Sequence, residues 1–395
     1  MSCLNPNTVL VRYGEISVKG LRTRRRMEGL LVKALREAMD HFGVKGDIEV
    51  SDGRVFIWDP SSVEGAVRAS TRVFGVKSVS PAYAIDFSDL EDLVRKAEEF
   101  FADRVKGRVF RVRARRAGVH PFTSKDVERL LGSKLLEAGA LKVDLENAEY
   151  TVYVEVRGSR AYLFDTIIEG PGGLPLGSEG LVLVLFSGGF DSTVATWRLM
   201  RRGCMVNLVH YDLGFPETVR VAVEVAKYIA DNWSFGHNIK LYIVNFKGVA
   251  RIVNGLVSPP YRTLVMRRLM LEHAEKLAES IGAEALATGE SICQVASQTI
   301  RSLYLISRGI RVPVLRPLSG SDKDEIVEES MRIGTYELNK KQVEVCGLAA
   351  TPTPRGSPDA FEREYDKVAD VVVPDPVEVD LKSKSLDEIL RSLGL

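Results

Sequence analysis

Apolar positions along this chain follow two rhythms, and the change between them falls near residue 170. In the first 168 residues, short strand-like runs mix with helical patterns. Val9-Leu10-Val11-Arg12-Tyr13 reads as a strand, and Thr23 to His41 carries Met27, Leu30, Leu31, Ala34, Leu35, Ala38 and Met39 at helical spacing. Further strands are predicted at Gly53 to Trp58, Val76 to Pro81, Arg108 to Ala114 and Tyr150 to Arg157, with helices over Val63 to Val73, Leu90 to Phe101 and Ser124 to Ala138. That mixture is an α+β pattern. Downstream the alternation becomes regular. Leu181 to Phe186 is a continuous apolar run, as in a strand buried on both faces, and a helix over Ser192 to Arg202 follows at once. Strands at Met205 to Tyr211, Lys240 to Asn245, Ala283 to Thr288 and Val312 to Leu315 alternate with helices over Thr218 to Asp231, Arg262 to Ile281 and Asp324 to Ile333. Such alternation predicts a doubly wound, Rossmann-like α/β parallel sheet. The stretch 169–178, rich in Gly and Pro, reads as a linker between the two regions, and Asp375 to Leu395 as a polar linker with a short helix.

Composition narrows the class. With 395 residues, 45% hydrophobic and 27% charged, the chain has enough apolar surface for two or three domains, which excludes a disordered or fibrous protein. A net charge of +1 rules out a uniformly basic nucleic-acid coat, so any such contact must use local clusters. The N-terminus has no basic stretch followed by a long apolar run, and Leu181 to Phe186 is too short to span a bilayer; a cytoplasmic protein with no membrane partner is expected. Cys3, Cys204, Cys293 and Cys346 form no C-x-x-C pair, so neither a structural zinc site nor a secreted disulfide framework is expected, and no metal-ligating cluster is predicted.

Candidate chemistry concentrates where the buried strand ends. Leu185 and Phe186 lead into Ser187-Gly188-Gly189-Phe190-Asp191-Ser192-Thr193, and open α/β sheets bind ligands beyond the carboxyl ends of their strands. Two glycines permit positive φ and remove Cβ atoms, so backbone N–H groups can surround phosphate oxygens. Ser192 and the helix N-terminus add donors for an anion. Asp191 would repel phosphate unaided, which points to action through Mg²⁺ or as an orienting group. The arrangement lacks the lysine of a kinase-type P-loop.

This loop resembles that of the N-type ATP pyrophosphatases. Taken with His210-Tyr211, Arg267-Arg268, Thr288-Gly289-Glu290 before Gln294-Val295-Ala296-Ser297-Gln298, and Pro317 to Ile326, the chain is similar to the tRNA 4-thiouridine synthetase (tRNA sulfurtransferase) family. The resemblance implies ATP bound by Leu185, Phe186, Ser187, Gly188, Gly189, Asp191, Ser192, His210, Tyr211, Arg267, Gly289 and Gln298. It places Lys323 beside the phosphates, where it would stabilise the leaving pyrophosphate. It also makes Cys346, in Val345-Cys346-Gly347, the thiol that meets the activated uridine. A persulfide on that cysteine, or sulfide delivered near it, would then displace AMP. The appended rhodanese-like domain of many bacterial members is not expected here, and the C-x-x-C pair of some archaeal relatives does not occur in this sequence. Cys293 remains open between a resolving thiol, a sulfur ligand and a packed core thiol. The sulfur donor is open too, between a cysteine desulfurase and inorganic sulfide, as are homodimerisation and a share in thiamine synthesis.

The resemblance extends upstream. Arg12 to Gly20 is similar to the start of the family's ferredoxin-like domain, and residues from about 80 to 168 resemble a THUMP RNA-binding domain. The implied organisation is 1–79, 80–168, linker 169–178 and catalytic domain 179–395. Basic clusters fit a tRNA partner: Lys19 with Arg22, Arg24, Arg25 and Arg26, and Arg111, Arg113 and Arg115 at alternate positions on one face of a strand. An amine-using PP-loop tRNA-modifying enzyme and a non-catalytic RNA-binding protein are the alternatives; the cysteine segment weighs against the first, and Asp191, Lys323 and Cys346 together against the second.

Overall fold

The computed structural model describes residues 5–294, 296–342 and 358–395. It divides into two compact units, Met1–Pro175 and Leu176–Leu395.

In the N-terminal unit, β1 (Thr8–Tyr13) runs into α1 (Leu21–His41), whose Met27, Leu31, Ala34, Leu35 and Ala38 are buried one or two turns apart along a single face. A hairpin follows, β2 (Asp47–Ser51) and β3 (Arg54–Trp58). Its two-residue turn is Asp52-Gly53, both at positive φ, which is the chemistry a type I′ hairpin demands. Next come α2 (Val63–Ser70), β4 (Val76–Asp86), α3 (Leu90–Val105), β5 (Val109–Ala117), α4 (Ser124–Glu137), β6 (Lys142–Val143), β7 (Tyr150–Arg157), β8 (Arg160–Phe164) and β9 (Ile168–Glu169). All nine strands form one sheet, ordered β2-β3-β1-β4-β8-β7-β5-β6, with β9 also on β4. Residues 1–79 and 80–168 therefore share a sheet through β4. That strand continues past Pro81 because Pro81 sits between the stretch paired with β9 and the stretch paired with β8, where no ladder needs its missing N–H.

Alternation along the strands sends Val152, Val154, Val156, Ala161 and Leu163 into a core with α3 and α4. The opposite face carries Leu10, Phe56, Tyr162 and Phe164, which pack on one another. The Gly- and Pro-rich stretch is not free chain at its start: Gly170 N donates to Lys77 O and Gly172 N to Val76 O. A Cβ on Gly170 would lie 2.4 Å from Val76 O, so only glycine allows that approach.

The C-terminal unit contains β10 (Leu181–Leu185), α5 (Phe190–Arg201), β11 (Met205–Asp212), α6 (Pro216–Trp233), β12 (Lys240–Asn245), α7 (Lys247–Leu256), α8 (Arg262–Ile281), β13 (Ala285–Ala287), α9 (Ile300–Ser307), β14 (Val314–Leu315), α10 (Lys323–Ile333), α11 (Tyr336–Asn339), α12 (Pro358–Asp366), β15 (Val377–Asp380) and α13 (Leu386–Ser392). The sheet order is β14-β13-β10-β11-β12-β15, parallel except for β15. β13 and β14 are shorter than their apolar runs suggest, and the segment after Asp375 supplies an antiparallel edge strand rather than plain linker. Consecutive strands β10 and β11 are neighbours, while β13 lies on the other side of β10. The order therefore reverses at β10, and such a switch point opens a crevice for a ligand. Among the described residues no helix is long and apolar enough to cross a membrane.

Candidate functional site

The loop after β10 is held in shape chiefly by its own atoms. Ser187 N donates to Ser192 Oγ at 3.2 Å, Gly189 N donates to Ser187 Oγ at 3.2 Å, and Ser192 Oγ donates to Gly189 O at 3.3 Å. Gly188 has φ +81°, and a Cβ there would meet Ala222 Cα of α6 at 2.8 Å. Gly189 differs from the sequence reading: its φ is −78°, so it needs no left-handed freedom. It serves instead as the N-cap of α5, without a capping side chain, and the first-turn N–H groups are the donors an anionic phosphate would meet. Asn339 of α11 braces the loop from behind, donating to Gly188 O at 2.8 Å and Thr193 Oγ1 at 2.9 Å.

The segment after β13 presses on the same loop. A Cβ on Gly289 would come within 2.6 Å of both Asp191 C and Ser192 N, so the two backbones touch and glycine is required for proximity. Beside it Glu290, 6% exposed, accepts from Thr288 Oγ1, from Arg267 at 3.2 Å and from Arg316 at 2.8 Å. Arg267 thus has a carboxylate partner in the fold. Gln298 is buried with Oε1 unpartnered. Cys293 is exposed and sits at φ +64°, while Cys204 is half-buried with its thiol pushed up by burial.

Asp191 projects from the first turn of α5, where Lys323 Nζ reaches its Oδ1 at 3.2 Å and Gln294 Nε2 donates to Oδ2 at 3.0 Å. Lys323 opens α10, and Arg198 of α5 sets that helix in place by bonding Glu329, Pro317 O and Ser321 Oγ. Carboxylate, lysine and amide therefore converge at the mouth of the glycine loop. Asn339, Arg316 and Arg198 escaped sequence reasoning, and Gln294 was named there only as part of a family-like segment, without its bond to Asp191; a polar residue in an ordinary helix or loop carries no local mark of such contacts.

His210 and Tyr211 part company. His210 is buried, and its Nδ1 lies 2.9 Å from Phe186 O, which assigns the proton to Nδ1 and leaves Nε2 an acceptor without a partner. Burial holds its pKa below the ordinary value, so the ring is neutral. Tyr211 points the other way: its hydroxyl donates to Met270 O at 2.7 Å on α8 and lies 3.1 Å from His273 Nδ1. Its side chain belongs to the core. Among the described residues no group of three His, Cys, Asp or Glu could hold a metal ion. Cys346 lies outside the described residues.

In the N-terminal unit, Arg111, Arg113 and Arg115 alternate along β5 opposite Thr151, Tyr153 and Glu155, so they share one face. Arg111 is half-buried and bonds Thr151 Oγ1, while Arg113 and Arg115 are exposed. Lys19 is exposed, but Arg24 is tied to Glu28 at 2.9 Å and to the Tyr13 hydroxyl at 3.1 Å.

Three family profiles match: the ThiI ferredoxin-like domain over residues 8–80, the THUMP domain over 87–165, and thiamine biosynthesis protein (ThiI) over 177–369. A probable tRNA sulfurtransferase of Aeropyrum pernix is 60% identical over 391 residues, covering 98% of this chain and 99% of that protein. The chain belongs to the ThiI family of tRNA sulfurtransferases. Another relative within the ThiI family, the tRNA sulfurtransferase of Pyrobaculum aerophilum, is 41% identical over 391 residues, 98% of this chain and 79% of that one. Among solved structures, a 4-thiouridine synthetase crystallised with RNA and bound ATP superposes with a TM-score of 0.79 at 29% identity, covering 98% of this chain and 97% of that one. PH1313 from Pyrococcus horikoshii gives 0.66 at 26% identity, over 83% and 99%. Ferredoxin-like, THUMP and pyrophosphatase folds are thus common to this chain and its ThiI relatives.

Proposed function

We propose that this chain is an ATP-dependent tRNA sulfurtransferase that adenylates O4 of a uridine, at position 8 of tRNA, and replaces that oxygen with sulfur. The observation that carries the reading is the convergence of Asp191, Lys323 and Gln294 on the mouth of a glycine loop at the sheet's switch point. That geometry suits ATP: the first-turn N–H groups of α5, uncapped by any side chain, for the phosphates, and the unpartnered Nε2 of His210 as a buried acceptor near the strand ends. Lys323 neutralises charge on the leaving pyrophosphate, where preorganised charge is most effective. Mg²⁺ keeps several waters and needs only one or two carboxylates beside phosphate oxygens, and Asp191 fits that need. Bound there, the ion supplies neutralisation of the triphosphate.

Cys346 is the sulfur-handling thiol in this reading. Sulfide, or the terminal sulfur of a Cys346 persulfide, attacks C4; the C4–O bond then breaks and AMP leaves. By the persulfide route a second thiol must cleave the remaining S–S bond, forming a disulfide as 4-thiouridine is released. A cysteine desulfurase or inorganic sulfide feeds the reaction, in the cytoplasm. Lys19, Arg113 and Arg115 are the exposed cations offered to tRNA phosphates, with Arg24 and Arg111 holding the surface behind them.

Asp191→Ala tests the nucleotide half. Pyrophosphate release with unmodified tRNA is expected to vanish, and release at the unaltered rate would sink the loop's assignment. Mass analysis of tRNA nucleosides from Cys346→Ser is expected to show no 4-thiouridine although pyrophosphate is still released. Normal thiolation in that variant would remove the role of Cys346.

A further inference from the structure

The face of the N-terminal sheet opposite its helices gathers charge that the nucleotide chemistry does not use. Glu155 on β7 is 2% exposed. Its carboxylate accepts from Arg12 of β1 at 3.4 Å, Arg54 of β3 at 3.0 Å and Arg157 of β7 at 2.6 Å. In a flat sheet four strand spacings, about 19 Å, would separate β3 from β7. Curvature has closed that gap. Arg157 also donates to Asp52 O in the β2–β3 turn, and Phe56 of β3 stacks on Tyr162 of β8 at 4.6 Å. The contacts therefore run across a concave face, from the β1–β3 flank to the β7–β5 flank.

The electrostatics show what Glu155 restrains. Burial alone would raise its carboxyl pKa, but Arg54, Arg12 and Arg157 outweigh that and hold it below the ordinary range, so it is ionised at neutral pH. Burial pulls the Arg12 guanidinium down to about 10, still protonated at neutral pH. One carboxylate among three guanidiniums leaves surplus positive charge, and Arg115 lies in register directly beside Glu155. Without the carboxylate, Arg12, Arg54, Arg115 and Arg157 would repel one another and drive the flanks apart.

We propose that Glu155 is a positioning residue for RNA. By tying the β1–β3 flank to the β7–β5 flank, it sets the separation at which Lys19 and Arg22 on one side and Arg113 and Arg115 on the other meet RNA phosphates. Preorganisation of this kind lowers the cost of binding without Glu155 touching the ligand. The proposal rests on the tRNA reading above.

Its test turns on a sign. Glu155→Gln makes the cluster more positive, so if net charge alone governed affinity, tRNA would bind more tightly and with a steeper salt dependence. Positioning predicts the reverse: affinity for unmodified tRNA falls about tenfold, KM for tRNA rises in step, and kcat for pyrophosphate release at saturating tRNA is unchanged. Glu155→Asp keeps the charge and stays beside Arg157, but withdraws the carboxylate by one methylene from Arg12 and Arg54; a fall of about threefold is expected. Thermal melting reads the fold of each variant, and should Glu155→Gln not fold, Glu155→Asp decides. Either folded variant binding tRNA as tightly as the unaltered chain, or losing only kcat, would overturn the proposal. Failure of the unaltered chain to bind tRNA would instead bring down the tRNA reading itself.

Discussion

The glycine loop of the C-terminal unit and the concave face of the N-terminal unit solve opposite problems. At the loop, backbone must approach backbone, and positions without a Cβ decide the geometry: Gly188 against α6, Gly289 against Asp191 and Ser192. On the concave face, side chains from strands that are not neighbours must converge, and a buried carboxylate decides it. The first arrangement has little slack, because no rotamer change can make room for an added atom held against backbone. The second is built of long side chains and can yield in part. Substitutions at the loop should therefore act steeply, and substitutions on the face gradually.

Short of removing Asp191 itself, the largest effect is expected at Gly289→Ala. Its Cβ would displace the Asp191–Ser192 backbone, so pyrophosphate release should fall by at least about a hundredfold and stability by about 1–3 kcal/mol, read by a coupled assay and by thermal melting. Retention of near-normal release would mean the loop tolerates movement and would erase the contrast. Next comes Lys323→Met. On an exposed side chain the loss should be purely kinetic, about 10²-fold to 10³-fold in kcat with an unchanged melting temperature. Asn339→Ala leaves Gly188 O and Thr193 Oγ1 without their buried donor and should cost about 1–3 kcal/mol, measurable by urea unfolding.

Smaller still is the effect of Arg113→Ala with Arg115→Ala. Removing two exposed cations should lower the slope of tRNA affinity against salt by about 2, with stability unmoved. Smallest is the pH dependence carried by His210. Its folded pKa is depressed, so the unfolded chain binds the extra proton first. Stability should decline as pH falls below about 6.5 and stop declining below the folded value, and His210→Asn should remove that component from a pH series of melting curves. A series with no such difference would mean that the ring is not held neutral.

How much of this could be read in the chain follows the same division. Strand β10, the glycines after it and the helix that follows are contiguous, so local pattern exposes them. Arg111, Arg113 and Arg115 were legible as one face because strand alternation is strict. Asn339, Glu155 and the bond from Gln294 to Asp191 were not, since their meaning comes from partners over a hundred residues away. Tyr211 shows the converse: a residue beside His210 in a ligand-facing strand, whose side chain nonetheless turns into the core because neighbours on a strand face opposite ways. Pro81 halted the sequence reading of β4 because a proline usually marks a strand's end, and only the pairing pattern shows why it is harmless there.

The antiparallel strand β15 has a consequence for the history of each molecule rather than for its chemistry. It covers the open edge of β12, yet it is synthesised long after β12. While the ribosome is still adding the residues between them, β12 presents unsatisfied backbone groups to whatever other chains are near. Pairing at such separation is also slow to find. Sheet closure in the C-terminal unit is thus a late event in biogenesis, and a nascent chain stalled before Val377 would be a candidate for chaperone capture.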